Sequence, residues 1–408
     1  MVTATAINVH DVDITSSEFK ADPFPFYAEL RRNHPVFKTH FGKIPVYLVT
    51  RYDDVKALLL DDRFAKDQRN VENANGFDMS WMPAFVKAMQ DNMLDRDAPD
   101  HTRLRNLVHT AFTPRRIQQM EKRIEELAHQ YIHKAKKQGH MNLVADYALP
   151  IPATVIAEIL GIPAEDMGKF HGWSQSLLQS NAGSALGMLS MLPAMWQLSR
   201  YVRKQLNIRR NNPQDDLLTA LIQAEADGDK LSTDEAMAMV VILLIAGHET
   251  TVNLIASGTY TLLQHPAELE RLRADSSLMK TAVEELVRYT VPVETATERY
   301  AREDITLHGV TIPQGTLTLA ALASANRDET VFDNPDTLDI GRTPNKHLSF
   351  GHGIHYCLGA PLARLEGSIA LETLIHELPD LRLAVAPDAI QWRKGMILRG
   401  LDALPVRF

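Results

Sequence analysis

The chain has 408 residues, 45% hydrophobic and 23% charged, with a formal net charge of −8. That length holds one large globular unit or two ordinary domains with a sizeable core, and mild acidity without a long basic block argues against nucleic acid as a main partner. A single cysteine excludes an internal disulfide and points to a reducing compartment.

The opening stretch MVTATAINVHDVDITSSEF has neither a basic start nor an apolar core, so no signal peptide or membrane anchor is expected, and the cytoplasm is the expected location. PVFKTHFGKIPVYLVT (Pro35–Thr50) carries the first strand signal. Helical periodicity then dominates, as in Arg116–Ala135 and Pro152–Gly161. His171–Val202 is rich in Met, Leu and Gly, and methionine stripes of this kind are ordinarily core.

The stretch STDEAMAMVVILLIAGHETTVNLIASGTYTLLQHP opens with a capping box, Ser232 to Glu235, and ends at the stop signal His265-Pro266. At about 1.5 Å per residue such a helix crosses a whole domain. Its longest apolar run, Ala236–Gly247, is shorter than the roughly 18 residues of a membrane span, so the stretch reads as a buried helix. Gly247, Glu249, Thr250 and Thr251 are costly in such an interior. A bond from Thr250 back to the carbonyl of Ala246, and an ion pair for Glu249, would answer that cost without any function. His248-Glu249 also begins like the zinc motif H-E-x-x-H, but Val252 stands where the second histidine belongs, so that reading fails.

Further on, Glu285 and Arg288 lie one helical turn apart, a spacing that on a solvated face contributes only a few tenths of a kcal/mol. Strand signals return in ITLHGVTIPQGTLTLAA (Ile305–Ala321), punctuated by His308-Gly309 and Pro313-Gln314-Gly315. No repeat, low-complexity linker or composition shift marks a boundary. The expected architecture is mainly α with small peripheral β-sheets.

The lone cysteine sits in FGHGIHYCLGA, Phe350–Ala360. One cysteine is too few for a structural zinc site or an iron–sulfur cluster. A nucleophile paired with His352 or His355, and a cysteine that merely packs, both stay open on the local residues. Downstream, Leu358, Leu362, Leu365, Ile369 and Ile375 fall at helical spacing with Pro361 suited to a first turn, so Cys357 stands at a helix N-terminus, where the dipole and free N–H groups favour a thiolate. Gly351, Gly353 and Gly359 let the backbone approach something flat. A thiolate as the single protein ligand to a haem iron satisfies every feature.

Phe350, Gly353, Cys357 and Gly359 match F-x-x-G-x-x-x-C-x-G, and with them the chain resembles the cytochrome P450 family. The resemblance covers essentially the whole chain. It implies a single haem domain over residues 1–408 with no fused reductase, the haem lying between the long central helix and the cysteine loop and helix. Cys357 would be the iron ligand, with Phe350 packed near it, neighbouring backbone N–H groups directed at the sulfur, and Gly359 among the residues that hold the cofactor. AGHETT resembles A-G-x-[DE]-T-[ST], in which Ala246 and Gly247 would make room for dioxygen while Glu249 and Thr250 deliver protons; the peroxide-using branch tends to lack that pair. Glu285 and Arg288 match E-x-x-R, with Arg342 as the expected third member.

The haem propionates need cations, and His101, Arg105, Arg299 and His355 match the family positions. For His101 and Arg105 the structural alternative is an exposed basic face, and for Arg299 a strand-edge charge. Phe77–Met89 and His171–Val202 would roof the substrate pocket. The implied activity is that of a soluble bacterial-type monooxygenase using haem b and O2 to hydroxylate or epoxidise a hydrophobic small molecule such as a polyketide or macrolide, terpenoid, steroid or fatty acid. The chain contains no G-x-G-x-x-G fingerprint, so electrons are expected from a ferredoxin or flavodoxin fed by an NAD(P)H-dependent reductase. Arg103, Arg115 and Arg116 are the expected outward cations for that donor, and a monomer is expected. The rival from another class is a haem-binding sensor or carrier, against which Glu249-Thr250 argues because gas binding needs no proton relay. A cysteine hydrolase lacks a visible base-and-orienter set.

Overall fold

In the computed structural model, the two strand-rich stretches that lie far apart in sequence meet in one sheet. The structure describes residues 9, 12–41, 44–76, 82–111, 113–166, 168–169, 172–173, 185–223, 225–226 and 229–408.

The first helices among the described residues are α1 (Ser17–Ala21) and α2 (Phe24–Asn33), followed by the antiparallel pair β1 (Val36–Phe41) and β2 (Ile44–Val49). Helix α3 (Tyr52–Leu60) leads to the short strand β3 (Phe64–Ala65). The longer helices that follow are α4 (Asp100–Ala111), α5 (Glu121–Lys136), α6 (Pro150–Leu160), which ends on the left-handed Gly161, and α7 (Ala185–Asn211). The periodicity read across Arg116–Ala135 is divided at Met120 between α5 and a shorter helix, Pro114–Gln119.

The long helix α8 runs Thr233–Gln264 with both halves of the capping box formed, and His265 closes it ahead of Pro266. Length and hydropathy alone would allow α8 to cross a membrane, yet 67% of its most apolar window is buried inside the protein. Helices α6, α7 and α9 (Met279–Thr290) pack around it. Strand β4 (Arg299–Ala301) precedes a small hairpin, β5 (Ile305–Leu307) and β6 (Val310–Ile312), whose turn residues His308 and Gly309 have φ of 50° and 77°. Both central residues at positive φ make this the turn that matches strand twist. Strand β7 (Leu317–Ala320) then lies parallel to β2, giving the sheet order β1-β2-β7-β4-β3. Helix α10 (Ala360–Glu377) packs on α8, and Gly367 permits it, since a Cβ there would stand 2.8 Å from Leu254 Cδ2.

One core surrounds α8 and a second lies between the sheet and α2–α3. The two ends of the chain are joined by buried charge. Lys20 Nζ lies 2.8 Å from Glu294, which also accepts from Tyr27 Oη at 2.7 Å. Arg399 donates to the carbonyls of Lys20 and Thr290 at 2.8 Å each and stacks on Trp392 at 3.9 Å. A guanidinium with several acceptors and an aromatic face suits a buried cation that an ammonium could not replace.

Candidate active site

The loop ahead of α10 closes on itself, the Cys357 N–H donating to the Phe350 carbonyl at 2.8 Å. Gly353, with φ of 73°, is pressed against α3, where a Cβ would meet Leu60 Cδ2 at 2.9 Å and the Leu59 carbonyl at 3.2 Å. Only glycine serves there. Cys357 stands two residues before the Gly359 cap of α10, and its side chain is solvent-accessible although protein surrounds it. Burial pushes its thiol up, and the Gly359 and Ala360 N–H groups and the Arg105 and Arg364 guanidiniums pull it down. Hydrogen bonds and positive charge of this kind favour a thiolate once a cation binds it. Phe350 is packed under Arg364 at 4.4 Å, and Arg364 is held in turn by Glu284 and Tyr356 Oη.

Beside the loop gathers a cluster of cationic and protonatable groups. The His101 and His355 rings are 4.2 Å apart, and His101 is buried with neither ring nitrogen paired. Arg299 is buried with its Nε unpaired. Burial and the neighbouring Arg105 and Arg299 bring His101 down to about 4. Burial, then His101, Lys66, Arg299 and Arg105, bring His355 down to about 2. Arg299 itself falls to about 10 through burial, opposed by Asp97. So His101 is not on an exposed basic face, and Arg299 is not a strand-edge charge, because β4 lies between β7 and β3. What such a cluster calls for is an anion. A planar group carrying two carboxylates and an iron for Cys357 fits these residues, the orphaned nitrogens meeting the carboxylates.

On α8, Ala246 is exposed and Thr250 half-buried, and the intervening His248 and Glu249 are buried. Thr250 Oγ1 donates to the Ala246 carbonyl at 3.1 Å. Gly247 has a packing reason of its own: a Cβ would approach Ile156 Cγ1 to 3.1 Å. Glu249 is buried and paired with Arg393. Burial raises its carboxyl and Arg393 opposes the rise.

The E-x-x-R residues come together with Arg342. Glu285 and Arg288 are fully buried, 2.8 Å apart through two parallel contacts, and Arg342 Nε lies 3.1 Å from Glu285. The remaining guanidinium hydrogens of Arg288 go to the carbonyls of Asn326 and Pro335, each at 2.8 Å, and of Thr337 at 3.4 Å.

Two of the three arginines expected to face a redox partner are half-buried and already paired with carboxylates. Arg103 is paired with Glu235 in the α8 capping box, and Arg116 lies 3.0 Å from Asp215; a carboxylate within reach claims each. Arg115 is exposed on the Pro114–Gln119 helix. Of the segments expected to roof the pocket, Phe77–Met89 and His171–Val202, residues 77–81, 171 and 174–184 lie outside the described residues.

Sequence reasoning missed three participants. Arg393 comes from an irregular segment 144 residues from Glu249. Lys66, held by Thr297 Oγ1 at 2.8 Å and the Glu298 carbonyl at 3.0 Å, adds to the cation cluster. Glu366 on α10 is fully buried beside the Thr251 hydroxyl, and burial, opposed by that hydroxyl, raises it to about 8. A charge on the apolar stripe of a helix was the available signal for Glu366.

The model of the family described as Cytochrome P450 matches residues 13–163 and 193–379. Polyketide biosynthesis cytochrome P450 PksS of Bacillus subtilis is 44% identical over 95% of this chain and 96% of its own length. Vitamin D(3) 25-hydroxylase of Pseudonocardia autotrophica is 42% identical over 99% of this chain and 98% of its own. The crystal structure of P450BioI in complex with hexadec-9Z-enoic acid ligated acyl carrier protein superposes with a TM-score of 0.88 at 39% identity, covering 96% of this chain and 100% of that one. A cation cluster that opens on α4, a polar break in the central helix and a cysteine loop, found in this order along a chain that such relatives match nearly end to end, leave one conclusion: it belongs to the cytochrome P450 family and is a monooxygenase of that family.

Proposed function

We propose that this chain hydroxylates or epoxidises a bulky hydrophobic small molecule of the polyketide, macrolide or fatty-acyl kind, using haem b bound through Cys357 and electrons from a separate ferredoxin or flavodoxin. The observation that carries the reading is the convergence of His101, Arg105, Arg299 and His355, with two buried side chains unpaired, beside an accessible cysteine. The polyketide and acyl-chain names among the relatives support the substrate class. Near end-to-end matching supports a single haem domain.

When bound, the haem supplies the dioxygen and one-electron chemistry that no side chain can. The protein's part is to hold, orient and supply protons. Cys357 ligates as thiolate, stabilised by the Gly359 and Ala360 N–H groups and the Arg105 and Arg364 charges. His101, Arg105, Arg299 and His355 take the two propionates as charge-assisted pairs. Exposed Ala246 leaves space on the reacting side, the Thr250 hydroxyl presents a proton there, and Glu249 replenishes it. The donor docks over the cysteine loop, where Leu60, Ile354 and Tyr356 are exposed.

Reduced, haem-loaded protein exposed to carbon monoxide should show the red-shifted Soret band of thiolate ligation, and Cys357→His should shift it to the histidine type. Macrolactones and long-chain fatty acids should displace water from the ferric iron, read in the same band, and yield singly oxygenated products. A histidine-type band in the wild-type protein overturns the ligand assignment. Binding confined to small polar molecules overturns the substrate class.

A further inference from the structure

Glu249 has one charged neighbour acting on it among the described residues, and that neighbour does not belong to the long helix. Arg393 reaches it from the C-terminal segment, where Trp392 bridges to Leu401, the Arg393 N–H donates to the Gly400 carbonyl at 2.9 Å and the Asp402 N–H donates to the Gln391 carbonyl at 3.0 Å. This pairing sets Arg393 beside Asp402. The Arg393 side chain is 30% exposed and has two anions within reach: buried Glu249, and Asp402, 59% exposed, at 3.7 Å from Nε. One turn along α8, Asn253 is buried against Gly400 of the same segment with both amide atoms unpaired, so the seam between helix and segment is polar. On the other sides of Glu249, His248 is buried and bonded to the Leu244 carbonyl at 2.6 Å, Thr250 bonds back to Ala246, and Glu366 of α10 acts on Thr251.

We propose that Arg393 is the positioning residue for Glu249: paired with it, Arg393 keeps the carboxylate ionised, and by turning to Asp402 it lets Glu249 take up a proton from solvent. The physics is a competition. A buried carboxylate that loses its counter-charge prefers the neutral form, and one that regains it releases its proton. The step is proton transfer only, from water to a Glu249 oxygen as Arg393 leaves, and from Glu249 toward the Thr250 hydroxyl as it returns. The inference rests on Glu249 being the proton donor proposed above.

The test uses haem-loaded protein and the infrared carbonyl band of a protonated carboxylic acid, titrated with pH and assigned by its loss in Glu249→Gln. In Arg393→Gln the midpoint should rise by about one pH unit or more, a tenfold or greater gain in proton affinity. Arg393→Lys should keep it near the wild-type value. Asp402→Asn, a change at an exposed residue that leaves the fold alone, removes the competing anion and should lower the midpoint. An unmoved midpoint in Arg393→Gln with the thiolate carbon monoxide band intact overturns the pairing, and an unmoved midpoint in Asp402→Asn overturns the exchange. Product formed per electron, followed over the same pH range, reports separately on the role of Glu249: if it ignores a midpoint that has moved, Glu249 is not the donor, whereas the Arg393 coupling stands.

Discussion

Thr250 shows how a structural and a functional reading can share one geometry. Its hydroxyl satisfies itself on the Ala246 carbonyl at 3.1 Å, as many helical threonines do, yet it does so beside an exposed alanine in the middle of a largely buried helix. Replacing it tells the two apart. Thr250→Ala should leave the fold and haem content unchanged while product per electron falls on the order of tenfold or more and hydrogen peroxide rises, since positioned proton transfer is what is lost; Thr250→Ser should recover most of the coupling. Equal coupling in all three proteins removes Thr250 from the proton route. Residues of this kind were legible in the sequence because each lies within a few positions of its motif partners, as Glu249 and Thr250 do in AGHETT and Cys357 in its glycine loop. Arg393 was not, because nothing periodic or motif-like ties QWRKGM to a helix more than a hundred residues earlier.

Elements were legible where their ends carry chemistry. Helix α8 begins and ends where the Ser232–Glu235 box and His265-Pro266 place it, whereas no glycine, proline or capping residue marks the break at Met120 that divides the next-longest periodic stretch. The strands of 36–49 and 305–320 could be read from alternation, but not their union, since parallel pairing of β7 with β2 depends on everything folded between them. The link from α9 to the loop before the cysteine is electrostatic. Glu285 serves Arg288, Arg342, the Asp339 N–H and Asn345 Nδ2 at distances of 2.8 to 3.2 Å. Glu285→Gln would leave two guanidiniums against a neutral amide, one of them fully buried. We expect a loss of about 3–5 kcal/mol, the range for removing one partner from a buried ion pair, measured as a lower urea midpoint. A midpoint within a few tenths of a molar of wild type would mean that the backbone acceptors around Arg288 suffice without the carboxylate.

At the scale of the whole molecule, the face outside the cysteine loop is apolar. Leu60, Ile354 and Tyr356, 55%, 50% and 38% exposed, are drawn together by the approach of Gly353 to α3, and Arg105 donates to the Tyr356 carbonyl at 2.8 Å. An electron donor docking there makes contacts that salt screens little, while Arg103 and Arg116 are held by their own carboxylates. Ile354→Asp should slow reduction by an acidic ferredoxin about tenfold, through lost apolar contact and added like charge, with substrate-induced spectral change untouched; an Arg103→Glu change should do little. Equal reduction rates for Ile354→Asp and wild type would place the donor elsewhere. The Arg399 clamp carries a separate consequence. By gripping Lys20 and Thr290 with one guanidinium while lying on Trp392, it makes the first helix a foundation for the irregular segment that presents Arg393. Damage at the start of the chain therefore travels to the other end: removing residues through Ala21 should loosen the seat of Arg393 against Glu249, read as a shifted Glu249 carbonyl midpoint.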